Sequence, residues 1–93
     1  MEVFWTTKAD ITFEVITDSI EAQFGKKAVL KFVLKVNSLV GLIEKFPFLF
    51  KSSSKFYNVR KATINKQCSL FYEINNTSIY LLYFWDNRQN PID

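Results

Sequence analysis

The last third of the chain alternates apolar runs with short polar breaks. The runs are VRKATI, CSLFYEI and SIYLLYFW, and the breaks fall at residues 65–66 and 75–76. The runs are rich in β-branched and aromatic residues, which favour strands. This pattern predicts a meander of three antiparallel strands.

The second break sets the expected register of the meander. A loop at residues 75–78 pairs Ile74 with Ile79, and the next pairs follow at steps of two: Tyr72 with Leu81, and Leu70 with Tyr83. Because side chains alternate between faces, two sets are expected. One face should carry Leu70, Tyr72, Ile74, Ile79, Leu81, Tyr83 and Trp85, and the other Phe71, Glu73, Tyr80, Leu82 and Phe84. Both sets are apolar, so each face needs a cover.

The first half of the chain has the period of helices. Residues 3–5 form a short apolar run that predicts a strand, and Thr7 with Asp10 resembles a capping box. Two stripes at steps of three and four then follow, separated by Gly25 and ended by Pro47. The first stripe is Ala9, Phe13, Ile16, Ile20 and Phe24, and the second is Val29, Phe32, Val36, Leu39, Ile43 and Phe46.

These elements predict an α+β domain in the order β-α-α-β-β-β. A helical hairpin should pack on one face of a four-stranded, mostly antiparallel sheet. Two helices cover a single face, so the opposite face keeps aromatic residues exposed. Exposed apolar patches of this kind mark partner sites.

Composition narrows the classes of function. The 93 residues are 48% hydrophobic, which predicts one ordered domain rather than disorder. The net charge of +3 permits an acidic partner or nucleic acid. The sequence has no histidine and a single cysteine, Cys68, which excludes an internal disulfide, a thiolate metal cage and His-based dyads. With no leader and no long apolar run, we expect a reduced cytoplasmic protein and a buried Cys68.

The polar residues near the predicted sheet are few. Arg60, Lys61 and Arg88 could hold a phosphate, with Glu73 as a candidate base. Each also has a structural interpretation: edge charges against aggregation for Arg60 and Lys61, a cross-strand pair for Glu73, and a salt bridge with Asp86 for Arg88. In the serine-rich loop at residues 48–56, Lys51 and Lys55 could reach a phosphate backbone or simply be solvated.

The ordered set of motifs resembles one family. VFWTTKA opens the chain, FGKKA lies between the helices and EKFP ends the second helix; VRK, SLFYEI and IYLLYFWDNRQNP follow. Together they resemble the RelE/ParE toxins of bacterial toxin–antitoxin pairs, often called plasmid-stabilisation proteins. The resemblance implies a curved antiparallel sheet and a small protein antitoxin with an acidic segment, which binds the toxin and prevents growth arrest. No cofactor or metal is expected, because the sequence has no glycine-rich phosphate loop and no metal-ligand spacing. A homodimer or a heterotetramer with the antitoxin is compatible with it.

The family divides by target. RelE-like members cut messenger RNA on the ribosome, and ParE-like members poison DNA gyrase. Arg60 and Arg88 match basic positions of the family, but the tail RQNPID has no tyrosine or histidine beyond Arg88. The resemblance therefore implies a ParE-like toxin; a RelE-like ribonuclease and an inactive antitoxin-binding module are the alternatives.

The expected sites follow from these interpretations. Antitoxin contacts are expected on the uncovered face, at Phe71, Tyr80, Leu82 and Phe84. Target contacts are expected at Lys51, Lys55, Lys66, Trp85 and Arg88. For a ribonuclease alone, the catalytic set would be Arg60, Lys61, Glu73 and Arg88.

Overall fold

The structure, a computed structural model, describes residues 1–56 and 58–89. Its elements are β1 (Glu2–Trp5), α1 (Thr7–Phe24), α2 (Lys26–Lys45), β2 (Val59–Asn65), β3 (Cys68–Asn75) and β4 (Ser78–Asp86). The predicted order and the α+β class are both confirmed. Among the described residues, no helix is long and apolar enough to cross a membrane.

The sheet has four strands in the order β1-β4-β3-β2. β4 pairs antiparallel with β3 and β3 with β2, while β1 runs parallel to β4, so the sheet is mostly antiparallel as predicted. Beyond β2, the segment at residues 51–53 lies along the start of the strand, with a bridge between Ser52 and Arg60. This segment protects part of an edge that would otherwise present unpaired backbone groups.

The two helices form the predicted hairpin, with one residue between them. Gly25 has φ 88°, a conformation that side-chain-bearing residues rarely adopt, which explains glycine at this sharp reversal. The predicted cap of α1 was displaced by one residue. Thr6, not Thr7, is the N-cap: its Oγ1 accepts the Ala9 N–H at 3.1 Å and donates to the Leu81 carbonyl at 2.8 Å.

The core lies between the hairpin and one face of the sheet. Its central residues are Ala9, Phe32, Val36, Ile43, Ala62, Cys68, Leu70, Tyr72, Ile79, Leu81 and Phe84. Most of the predicted helical stripe points into this core. Phe24 and Phe46 do not, and both are exposed: Phe24 is the last residue of α1, and Phe46 is the C-cap of α2.

A β-bulge changes the predicted register at one end of the meander. Ile74 pairs with Ile79 and Tyr72 with Leu81 as expected, but Phe71 then pairs with Tyr83, which leaves Leu82 as the extra residue. Leu70 therefore faces Phe84, and the predicted Leu70–Tyr83 pair is wrong. The bulge exchanges the faces of all later residues of β4: Phe84 joins the helix-side core, and Tyr83 moves to the opposite face.

The hairpin packs on one face of the sheet only. The opposite face, called here the open sheet face, carries Phe4, Lys61, Glu73, Tyr80, Leu82 and Tyr83 above the buried Val59 and Phe71. No helix of the described chain lies over it. The expectation that the helical hairpin packs on a single face is confirmed.

Candidate functional site

The centre of the open sheet face is a row of rings and lysines. Phe71 of β3 stacks on Tyr83 of β4, with ring centroids 4.9 Å apart. Lys61 lies over the Phe71 ring at 6.0 Å, and Lys8 of α1 lies over the Tyr83 ring at 4.7 Å. Phe71 is completely buried. Phe71 is therefore on the predicted face but supports the surface from below.

The accessible apolar groups lie towards the two ends of this row. On β1, the exposed Phe4 stacks on Tyr80 at 5.5 Å. Around Leu82, a shallow depression is lined by Lys55, Phe56, Val59, Glu73, Leu82 and Tyr83. Lys8, Lys55 and Lys61 lie around this apolar surface, which also carries the acidic Glu73 and, two residues before Phe4 on β1, Glu2. Such a surface can accept apolar side chains of a peptide whose remaining positions are acidic.

Phe84, predicted as an antitoxin contact, faces the helices instead. It is 2% exposed, and its ring lies 5.3 Å from Phe13 and 5.5 Å from Trp5. Its backbone N–H donates to Thr12 Oγ1 at 2.9 Å. The bulge at Leu82 is the cause of this correction, since strict alternation would have placed Phe84 beside Leu82.

Arg60 lies on the helix side of β2 and holds the loop that follows α2. Its guanidinium donates to the Phe50 carbonyl at 2.5 Å and lies 5.1 Å from the centre of the Phe48 ring. Beside it, the Tyr72 hydroxyl donates to the Pro47 carbonyl at 2.7 Å. Burial raises the pKa of Tyr72 to about 12, and the positive charge of Arg60 acts in the opposite direction. These contacts tie the loop to the sheet.

Arg88 is paired with Asp86 just after β4, as one interpretation of the sequence predicted. The guanidinium donates to both carboxylate oxygens, with the shortest contact at 2.7 Å. This hydrogen bond holds the pKa of Asp86 below its usual range. Next to it, Asn87 Nδ2 donates to Ser69 Oγ at 2.9 Å, a contact that sequence reasoning missed.

The four predicted catalytic residues do not form one site. Arg60 and Lys61 point to opposite faces, as alternation requires. Lys61 and Glu73 share the open sheet face, but Arg88 is bound to Asp86 at the far end of the sheet. Asp86 pairs with Cys68 at the start of β3, and Glu73 lies five positions further along that strand. At about 3.3 Å per residue, this separates Glu73 from the Asp86–Arg88 pair by roughly 17 Å. The structure therefore gathers no phosphate clamp from this set.

The predicted target contacts form two groups at opposite ends of the sheet. Lys51 and Lys55 lie near the start of β2, in the loop whose Lys51 carbonyl accepts the Lys61 N–H. Lys66 lies in the β2–β3 turn, close to Trp85 and Arg88 at the end of β4. The Trp85 Nε1 is buried and has no hydrogen-bond partner among the described residues. No single target surface joins both groups.

Cys68 behaves as a small core residue, as predicted. It is buried beneath α1 and α2, and burial, with the nearby Asp86 charge, raises the pKa of its thiol to about 12. A thiol in that state is a poor nucleophile and metal ligand. Within residues 1–56 and 58–89, no cluster of metal-ligating side chains is present.

The sequence pattern did not predict that Lys8 and Tyr83 lie at the open sheet face. Lys8 reaches Tyr83 from the first turn of α1, more than seventy residues away along the chain, so no local pattern could reveal the contact. Tyr83 was assigned to the wrong face because a bulge leaves no mark in the hydrophobic alternation of SIYLLYFW.

Two solved structures have folds similar to this one. A chain of the chromosomal ParDE toxin–antitoxin system from P. aeruginosa superposes with a TM-score of 0.79, at 22% identity over 92% of this chain and 95% of that chain. This chain has the RelE/ParE fold. A copper-bound mutant toxin from Helicobacter pylori superposes with a TM-score of 0.65, at 13% identity over 98% of this chain and 99% of that chain. No protein-family model matches the sequence, and no curated protein sequence matches it significantly.

Proposed function

We propose that this chain is the toxin of a type II toxin–antitoxin module, that it arrests growth by poisoning DNA gyrase in the ParE manner, and that a protein antitoxin neutralises it in the cytoplasm. The observation that carries the proposal is the open sheet face. It combines accessible apolar side chains with a lysine rim on a fold that also occurs in the P. aeruginosa ParDE system.

The antitoxin suited to this face is an acidic segment with apolar anchors. Tyr80 and Leu82, with Phe4 beside them, supply the apolar contacts, and Phe71 supports them from below. Lys8, Lys55 and Lys61 favour carboxylates at the edges of the bound segment. Phe84 no longer belongs to this set, because it faces α1.

A ParE-like action is favoured over messenger RNA cleavage because the candidate catalytic groups are dispersed. Arg60 holds the Phe50 carbonyl, and Arg88 is occupied by Asp86. A phosphoryl-transfer site needs its cations and its base around one scissile phosphate. The chain also lacks histidine, the side chain that most often serves as a general base.

The RelE-like alternative has one observation in its favour. Lys8 lies over the Tyr83 ring and Lys61 over the Phe71 ring stacked on it, so two ammonium groups lie along one aromatic pair on the open sheet face. Such a group of side chains could hold a phosphate beside a stacking surface. An inactive, antitoxin-binding module is the third candidate.

Induced expression separates the three candidates. After induction, the rates of new DNA, RNA and protein synthesis are followed by pulse labelling, and purified chain is incubated with gyrase and supercoiled plasmid. The proposal predicts that DNA synthesis falls first and that gyrase-dependent double-strand breaks accumulate. Early loss of protein synthesis with cut messages would instead establish the ribonuclease, and normal growth would establish the inactive module.

A further inference from the structure

The surface of the helical hairpin that faces away from the sheet carries a second set of apolar side chains. Ile11 and Val15 lie on α1, with Val15 at its side, where it also lines a cavity with Ile16 and Asp86; Leu30 and Leu34 lie on α2, and all four are 57% to 62% exposed. Each pair is spaced by four residues, so its members are neighbours on one helix face. The core does not use them, since Phe13, Phe32 and Val36 already pack against the sheet.

The two helices that carry these residues have opposite charge. α1 contains four acidic residues and one lysine, a net charge of −3, whereas α2 contains five lysines and one glutamate, a net charge of +4. Asp18 of α1 and Lys31 of α2 represent the two groups, and both are exposed. Among the described residues, no ion pair joins the acids of α1 to the lysines of α2.

This division of charge selects the partner. Nucleic acid, an anionic membrane or an acidic peptide would be attracted by α2 but repelled by α1 beside it. A matching surface must present a basic helix next to an acidic one, with apolar residues on both. The hairpin itself has that arrangement, so a second copy of the chain complements it.

We propose that two copies of the chain associate through their outer helical faces, defined by Ile11, Val15, Asp18, Leu30, Lys31 and Leu34. A two-fold axis parallel to the helices places α1 of one copy antiparallel on α2 of the other. Within one hairpin, residues equally distant in sequence from Gly25 lie at the same height along the helices. Val15 therefore lies at the height of Leu34, and Asp18 at the height of Lys31, to within one position. The two-fold axis keeps these heights, so each residue meets its counterpart on the other copy.

The size of the face predicts a weak dimer. Twenty helical residues span about 30 Å, and two helices side by side are roughly 20 Å wide. The contact would bury about 600 Å² on each copy, or about 1,200 Å² in total, the lower limit for a specific interface. With exposed charges at its edges, the dimer should have a dissociation constant in the micromolar range or above, and this constant should rise as salt is added. This association does not depend on the proposed toxin function.

Sedimentation equilibrium of the purified full chain tests the proposal, from about 1 μM to about 1 mM protein at low and high salt. The wild-type mass should rise from 10.9 kDa towards twice that value. Lys31→Glu and Asp18→Lys should each raise the dissociation constant about tenfold, because each substitution acts twice in a symmetric dimer. The double variant Asp18→Lys/Lys31→Glu should recover association, since it exchanges the charges.

Two matched variants make the outcome unambiguous. Lys66→Glu makes the same charge change in the exposed β2–β3 turn and should dimerise like wild type. Leu34→Asp introduces a charge at an exposed position of α2, where folding does not depend on the leucine, and should abolish the dimer. A monomer at every concentration would overturn the proposal. A dimer that survives Leu34→Asp but is lost in Leu82→Glu would also overturn it, since the open sheet face would then be the interface.

Discussion

Substitution of Arg60 by alanine should destabilise the fold before it changes any activity. The side chain donates to the Phe50 carbonyl and lies 5.1 Å from the centre of the Phe48 ring, so it connects β2 to the loop after α2. A hydrogen bond from a charged donor contributes about 1.5–3 kcal/mol, and a cation over an exposed ring about 0.5–1 kcal/mol. Water can replace part of the first contribution because the loop is accessible. We therefore expect Arg60→Ala to lower the free energy of unfolding by about 2 kcal/mol.

Urea unfolding followed by circular dichroism measures this loss directly, and for a domain of this size it corresponds to a fall in Tm of about 10 °C. Arg60→Lys should lose an intermediate amount, since it keeps the charge but not the planar donor group. Lys61→Ala, on the opposite face of the same strand, should cost less than about 1 kcal/mol. Unchanged stability of Arg60→Ala together with complete loss of messenger RNA cleavage would refute this reasoning and assign Arg60 to a phosphate clamp.

Three further predictions concern stability. Thr6→Ala should lower the free energy of unfolding, measured by heat or urea, by about 1–2 kcal/mol, because it removes the α1 cap and the hydrogen bond to the Leu81 carbonyl. Thr6→Ser should recover most of this loss. An alanine variant as stable as wild type would contradict the cap assignment. Tyr72→Phe should cost about 1 kcal/mol by removing the 2.7 Å hydrogen bond to the Pro47 carbonyl, and an unchanged free energy of unfolding would contradict that contact. The pKa of Cys68 is about 12 in the fold against an ordinary 9.0, so the unfolded chain loses the thiol proton first and stability should fall as pH rises above about 9. Cys68→Ala should flatten that decline in urea titrations between pH 8 and 11; an identical decline in the variant would exclude the thiol as its source.

Periodicity predicted the elements because it reports burial along one local direction. The helical stripes ended near Gly25 and Pro47, and the three apolar runs became β2, β3 and β4, since each of these signals is contained in a few neighbouring residues. The one-sided packing also followed from the sequence, because a hairpin of this length covers a single face of the sheet.

The errors arose where a tertiary contact decides the outcome. The bulge at Leu82 moves Phe84 under α1, where Phe13 and Trp5 receive it, and this preference depends on a helix seventy residues away. The sequence pattern SIYLLYFW is apolar on both faces, so alternation alone could not reveal the exchange. Likewise, the sequence does not show that the loop at residues 46–50 lies beside Arg60. Its contacts to Phe48 and Phe50 give this arginine a structural role.

The central claim, that the open sheet face is the antitoxin surface, is tested most directly by rescue of growth. The chain is induced alone or together with its antitoxin, to be sought as a short acidic polypeptide encoded beside it, as wild type, Leu82→Glu and the exposed loop control Leu49→Glu. We predict that all three arrest growth alone and that co-expression rescues wild type and Leu49→Glu but leaves Leu82→Glu arrested. Equal rescue of Leu82→Glu would contradict the assignment of this face.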